Sequence, residues 1–197
     1  MKRFQRICAL FLLITCLGLP VLRAQSYDKL WKQVEQAQKK SLPQTAIKLT
    51  DEILRKAERE KNVPQMLKAT VCRDTYQESL TPDSLYTNLK NMELWAQAEQ
   101  NPVNKAILNS LLAQEYADYM RSNRSALLSR TSLELDEVPA DIRAWSANLF
   151  IDRIDRYNRA SLQDSAHLLE VSSREYVPFV VLEDGSRFYQ HDMYHLL

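Results

Sequence analysis

The sequence predicts an all-α protein built from antiparallel helical hairpins, and three observations carry that prediction. Glycine is rare, 2 of 197 residues, where average usage of about 7% would give roughly 14. Prolines recur at Pro43, Pro64, Pro82 and Pro102, spaced 21, 18 and 20 residues apart, each just behind a good helix-capping residue: Ser41, Asn62, Thr81 or Asn101. Between them the apolar residues repeat every three to four positions, the period of one helix face. The scarcity of glycine argues against all-β barrels, dinucleotide-binding fingerprints and phosphate-cradling loops, which depend on glycine's backbone freedom. A hydrophobic content of 45% with 26% charged residues fits a folded globular chain. A formal charge of +1 supplies no field for nucleic acid or an anionic membrane.

Each element follows in order. Proline is tolerated in the first helical turn, where its missing N–H would lack a partner anyway. Ser41 with Gln44 and Asn62 with Gln65 have capping-box spacing. The first helix, 27–40, carries Tyr27, Leu30, Val34 and Ala37 on one face; the second, 43–61, carries Ala46, Leu49, Ile53 and Ala57. The third, 64–80, carries Leu67, Val71, Cys72 and Tyr76, and the fourth, 82–100, carries Leu85, Leu89, Met92 and Ala96. The fifth, 102–121, has an apolar face of Val103, Ile107, Leu111, Leu112, Tyr116 and Tyr119, and a small-residue face of Ala106, Ser110, Ala113 and Ala117. Two such faces suit a central helix. A polar linker, 122–138, carries Leu127, Leu128, Leu133 and Leu135 singly. A sixth helix is expected over 139–162, with Ile142, Trp145, Leu149, Ile151, Ile154 and Tyr157, and a shorter one over 163–173.

The tail changes character. Residues 177–182 are β-prone, Asp184-Gly185 signals a type I′ turn, and Arg187-Phe188-Tyr189 provides a returning strand. Asp192 is placed to cap one further helix, and the apolar end suggests a piece of a longer chain. Connections of two to four residues force neighbouring helices antiparallel. Paired, they give a unit of about 39 residues, so the expected architecture is a degenerate tetratricopeptide-like α-solenoid, whose usual period is 34, ending in a short β-prone hairpin. A compact seven-helix bundle is the alternative.

The N-terminus reads as a targeting segment. Lys2, Arg3 and Arg6 precede an apolar run from Ile7 to Leu19, Pro20 ends it, and Leu22-Arg23-Ala24 suits cleavage before Gln25. The organisation expected is therefore a signal peptide over 1–24, a helical repeat-like domain over 25–174 and a docking segment over 175–197. The run is too short for a bilayer span. Leu13-Ile14-Thr15-Cys16 is a poor lipobox, so a membrane tether is expected only if Cys16 is lipidated; an uncleaved anchor is the remaining alternative. Cleavage leaves 22 basic against 25 acidic residues and a single thiol, Cys72, which cannot form an internal bridge. The protein is expected to be exported, to the periplasm or cell surface.

No constellation of residues points to catalysis. His191 and His195 stand at i, i+4, a spacing that can chelate zinc, but Asp192 replaces the glutamate of the metalloprotease motif and His167 is the only other histidine. They read as surface or packing histidines, and no metal or other cofactor is expected. Cys72 lies in an apolar stripe without an identifiable base and reads as inert. Asp51-Glu52 and the pair Asp152 and Asp155 read as solvated, ion-paired helix faces rather than acid–base pairs. Trp31, Trp95 and Trp145 read as core anchors, with a peptide-binding groove as the alternative. Asp83-Ser84-Leu85 and Asp164-Ser165-Ala166 resemble O-glycosylation acceptors of exported Bacteroidetes proteins.

Several stretches resemble the helical region at the start of large alpha-2-macroglobulin-like proteins of Bacteroidetes. They are Ser26-Tyr27-Asp28-Lys29-Leu30-Trp31, Lys61-Asn62-Val63-Pro64-Gln65-Met66-Leu67, Ala144-Trp145-Ser146-Ala147-Asn148-Leu149-Phe150 and Gly185-Ser186-Arg187-Phe188-Tyr189-Gln190-His191-Asp192-Met193-Tyr194-His195-Leu196-Leu197. The resemblance implies a long surface or periplasmic protein that traps proteases, often through a thioester. The thioester motif Cys-x-Glu-Gln does not occur, since Cys72 is followed by Arg73-Asp74-Thr75, so no functional residue carries over. The expected function is that of a non-enzymatic module serving interaction or domain positioning. Its partner would be a further domain of a longer chain or an envelope protein, not nucleic acid or a small molecule. The expected contact residues are Phe179, Val181, Phe188, Tyr189, Tyr194 and Leu197. A stand-alone periplasmic peptide- or protein-binding solenoid is the alternative.

Overall fold

A computed structural model of the chain describes residues 27–132 and 138–197. The signal segment 1–24, with Cys8 and Cys16, and the linker residues Leu133 and Leu135 lie outside the described residues. The chain is all-α. Helix α1 covers residues 27–39, followed by α2 (Pro43–Glu60), α3 (Val63–Leu80), α4 (Ser84–Ala98), α5 (Pro102–Ser122) and α6 (Arg124–Leu128). After the linker come α7 (Ala147–Ser161), α8 (Ser165–Glu170), α9 (Ser186–Tyr189) and α10 (Met193–Leu196), with 3-10 turns at Ile142–Ala144 and Ser173–Tyr176.

Two of the four proline-linked caps work as the sequence suggests. Asn62 Oδ1 accepts the N–H of Gln65, and Asn101 Oδ1 accepts those of Val103 and Asn104 at 3.0 Å each. The other two do not. Ser41 takes a φ of 53° and closes α1: its N–H reaches Gln38 O, and Leu42 N–H reaches back to Ala37 O. Leu42 then starts α2 without a side-chain cap. Lys61, with the same φ, closes α2 through Asn62 N–H to Ala57 O. Both turns are left-handed closures of the kind glycine usually supplies. Thr81 ends α3 rather than starting α4, whose first flanking residue is Asp83.

The expected sixth helix starts eight residues late. Residues 139–146 form one 3-10 turn and an extended stretch because side chains take up their backbone carbonyls. Trp145 Nε1 donates to Pro139 O, and Arg130 Nη1 donates to the carbonyls of Arg143 and Trp145, all at 2.7 Å. The linker, for its part, holds α6, which buries Leu127.

The β-prone hairpin does not form, and no strand occurs among the described residues. A type I′ turn needs positive φ at both central residues, and Gly185 does not take one. Instead Phe188 N–H bonds Gly185 O at the start of α9. The extended pairing lies elsewhere in the tail, as an antiparallel bridge between Ser172 and Asp192. There Ser173 N–H reaches His191 O and Met193 N–H reaches Val171 O.

Packing gathers into two apolar clusters. Tyr27, Trp31, Val34, Ala37, Ala46, Ile53, Ala57 and Ala69 close the α1–α2–α3 end. The larger cluster is built around Ile107, Leu108, Leu112 and Tyr116 of α5, with Leu67, Leu89, Leu127, Trp145, Phe150, Leu168, Val180 and Met193 packed on it. Helix α3 serves both, through Ala69 on one side and Leu67 on the other. The small-residue face of α5 is used as its composition suggests: Ala106 and Ala113 are buried beside the large apolar residues.

Candidate functional site

The tail is anchored from beneath and apolar above. Val180 and Met193 are buried, and Tyr176 Oη donates to Asn104 Oδ1 of α5 at 2.6 Å. Ser173 Oγ donates to Gln190 O at 2.7 Å, tying the 3-10 turn to the approach of α10. On the outer side Val181, Phe188 and Tyr189 are 79%, 65% and 78% exposed. Of the six residues the sequence nominates for contact, these three are strongly exposed and Tyr194 is less so, at 36%. Phe179 and Leu197 are half-buried, packing against the larger cluster with part of their surface still exposed. Their apolar character signals core as readily as surface, and only the fold separates the two.

A second feature lies between α4, α5, α7 and the 138–145 stretch. Glu93 Oε1 accepts hydrogen bonds from Tyr116 Oη at 2.9 Å, Tyr157 Oη at 2.7 Å and Arg153 Nη1 at 3.0 Å. Tyr116 stacks on Trp145 with centroids 5.7 Å apart, and the Arg153 guanidinium lies 4.9 Å over the Trp145 ring. Burial and the adjacent Glu93 carboxylate push the Tyr157 hydroxyl up to about 12 and raise that of Tyr116 as well. With three donors on one oxygen, Glu93 ties α4 to α5 and α7. Beside it opens a groove of about 860 Å3 whose walls include Tyr86, Lys90, Arg143 and Trp145. Arg143 lies 4.8 Å over the Tyr86 ring. Arg153 and Tyr157 are i, i+4 on α7, a visible spacing, but their partner Glu93 is 60 residues from Arg153, and no sequence signal joins them.

Acidic groups meet where α3, α4 and α5 face one another. Asp74, Glu78 and Glu115 line a cavity of about 20 Å3 with Asn88, and Asn88 Nδ2 donates to Glu78 Oε1 at 2.9 Å. Arg73 pairs with Asp74 at 2.9 Å, yet burial still raises the Asp74 carboxyl. Burial likewise raises the half-buried Cys72 thiol, which fits an inert thiol. Trp31 Nε1 donates to Gln65 Oε1 at 2.7 Å inside the smaller cluster, so Gln65 serves this tryptophan rather than a capping box. Of the acidic pairs, Asp155 is bonded to Arg159 and Asp51 lies near Arg73, as solvated faces would be. Ser84 Oγ is buried without a hydrogen-bond partner, while Ser165 is exposed at the start of α8.

The histidine pair is arranged differently from a helical i, i+4 pair. Only His195 lies in α10, while His191 precedes it. Asp192, between them, is buried and caps α10, its Oδ1 accepting His195 N–H at 2.9 Å. His191 Nε2 lies 3.0 Å and His195 Nδ1 2.9 Å from Asp192 Oδ2. Burial acts to raise the Asp192 carboxyl, but the bonds from His195 outweigh it and hold the group below the usual carboxylate range. His167 stands apart on α8, so the third ligand-type side chain is the intervening aspartate.

Among the described residues no helix is long and apolar enough to cross a membrane. Protein-family models, curated proteins and solved structures yield no match to the chain.

Proposed function

We propose that the chain is a non-enzymatic helical module that docks a protein partner through its C-terminal segment. The observation that carries this reading is the triad Val181, Phe188 and Tyr189, strongly exposed on a segment whose other side is buried in the core. Large apolar residues left exposed on a segment that is otherwise held in the core are candidates for interaction. The tail is a platform, because Tyr176, Val180 and Met193 are core residues. The helical hairpins behind it form a degenerate tetratricopeptide-like stack that positions this platform. The signal-like N-terminus and the resemblance to the leading region of alpha-2-macroglobulin-like proteins support an exported chain. Its partner is then a further domain of a longer chain or an envelope protein.

A photo-crosslinking amino acid placed at position 181 or 189 in the producing cell tests the docking surface. The control is position 48, where Lys48 is exposed on α2. Discrete protein adducts are expected from 181 and 189 but not from 48. Equal adducts at all three positions, or none at any, would reject the docking reading. The second reading, a peptide-binding groove, rests on the groove between α4 and the 138–145 stretch, where arginines lie over Tyr86 and Trp145. Crosslinks from position 90 in place of 181 and 189 would favour it.

A further inference from the structure

We propose that His191, Asp192 and His195 form a binding site for a divalent transition-metal cation of the zinc class, independent of what the tail docks. One donor atom from each residue can be chosen so that all three lie within 4.8 Å of one another. Both imidazoles approach the same carboxylate oxygen, Asp192 Oδ2, at 3.0 and 2.9 Å. Zinc sits about 2.0–2.2 Å from nitrogen and oxygen ligands. Neighbouring donors around a tetrahedral ion are then roughly 3.3 Å apart, so both histidine–aspartate contacts open by only a few tenths of an ångström.

The aspartate can serve two functions at once because only Oδ1 is engaged by the helix backbone. Oδ1 receives the His195 backbone N–H and keeps the α10 cap, the His195 imidazole Nδ1 lies 2.9 Å from both oxygens, and Oδ2 is the oxygen that both imidazoles share. A hydrogen-bonded ligand carboxylate of this kind orients itself for the ion. The backbone carrying the ligands is also held: Met193 is fully buried, Ser172 bridges Asp192, and Ser173 N–H bonds His191 O. The imidazoles are 59% and 48% exposed, so an incoming ion keeps water in its fourth position. Glu183, Asp184 and Arg174 line the same open groove as His191, which leaves the site reachable from solvent. Imidazole with carboxylate is a donor set suited to zinc and its neighbours, unlike the all-oxygen sets of calcium and magnesium.

The test is a titration of the untagged full chain with Co(II), followed by displacement with Zn(II). The expected result is the visible absorption of cobalt in a low-symmetry nitrogen–oxygen site, removed by zinc. His191→Ala and His195→Ala, both at exposed positions, should each weaken binding by about tenfold or more. Asp192→Asn, which keeps an oxygen for the cap, should do the same with unchanged far-UV circular dichroism. His167→Ala should leave binding as it is. The proposal is overturned if neither metal binds, if the site variants bind like the parent, or if cobalt–thiolate charge-transfer bands assign the ion to cysteine.

Discussion

Glu115 shows how one buried side chain can set the pH response of the fold. It lies on α5 among acids of α3 and its own helix, and its pKa is pushed up to about 7, first by burial and then by Glu78, Asp118 and Asp74. The ordinary value is 4.5. A group raised on folding favours the native state fully below its unfolded pKa, and that contribution fades as pH climbs through the folded value. The loss therefore falls between about pH 4.5 and 7. Glu115→Gln is neutral at every pH and should raise the melting temperature at pH 8 while leaving it nearly unchanged near pH 4. A lower melting temperature at pH 8 would show that the charged carboxylate is stabilising. Other residue-scale features are hidden from sequence. Ser41 and Lys61 adopt left-handed φ, a conformation costing about 1–2 kcal/mol for a residue with a Cβ. Neither residue type advertises it. Asn62 and Asn101 were legible as caps because asparagine, a proline behind it and a free helical N–H form a local pattern.

At the scale of elements, local patterns located α2 to α5 to within a few residues, since their prolines and apolar periods agree even where the cap does not form. The tail and the start of α7 were misread for one physical reason: both are shaped by distant partners. Arg130 holds the carbonyls of Arg143 and Trp145 from across the linker. The pairing of Ser172 with Asp192 takes the place of a hairpin across Gly185. A two-stranded hairpin on its own is marginal, whereas this pairing is backed by core. The candidate docking surface was half legible, because β-prone apolar residues announce burial or contact without saying which. The tail therefore predicts opposite effects from nearby substitutions. Met193 has no exposed surface, and Met193→Ala should cost about 2–5 kcal/mol in urea unfolding. Tyr189→Ser, at 78% exposure, should stay within about 0.5 kcal/mol of the parent. A negligible effect of Met193→Ala would mean that the tail is not part of the cooperative core.

For the whole molecule, the two apolar clusters are unequal in kind. The α1–α2–α3 cluster has four alanines among its eight buried residues, and alanine contributes little apolar area. The other collects Tyr116, Trp145 and Phe150 in mutual ring contact, together with the fully buried Leu108 and Leu112. Long-range bonds from Tyr176 to Asn104 and from Arg153 to Glu93 cross-link that larger part. The smaller part is joined to it along α3, which supplies Ala69 to one cluster and Leu67 to the other. Cooperative units of differing stability open separately when few contacts couple them. Native-state amide hydrogen exchange should therefore find the slowest protons in α5, near Leu108 and Leu112. Amides of α1 and α2 should exchange at a lower opening free energy, as a group. Trp31→Phe removes the donor to Gln65, and should speed exchange in α1 and α2 while leaving α5 unchanged. Equal acceleration in both parts would show that α3 transmits the loss, making the molecule one cooperative unit.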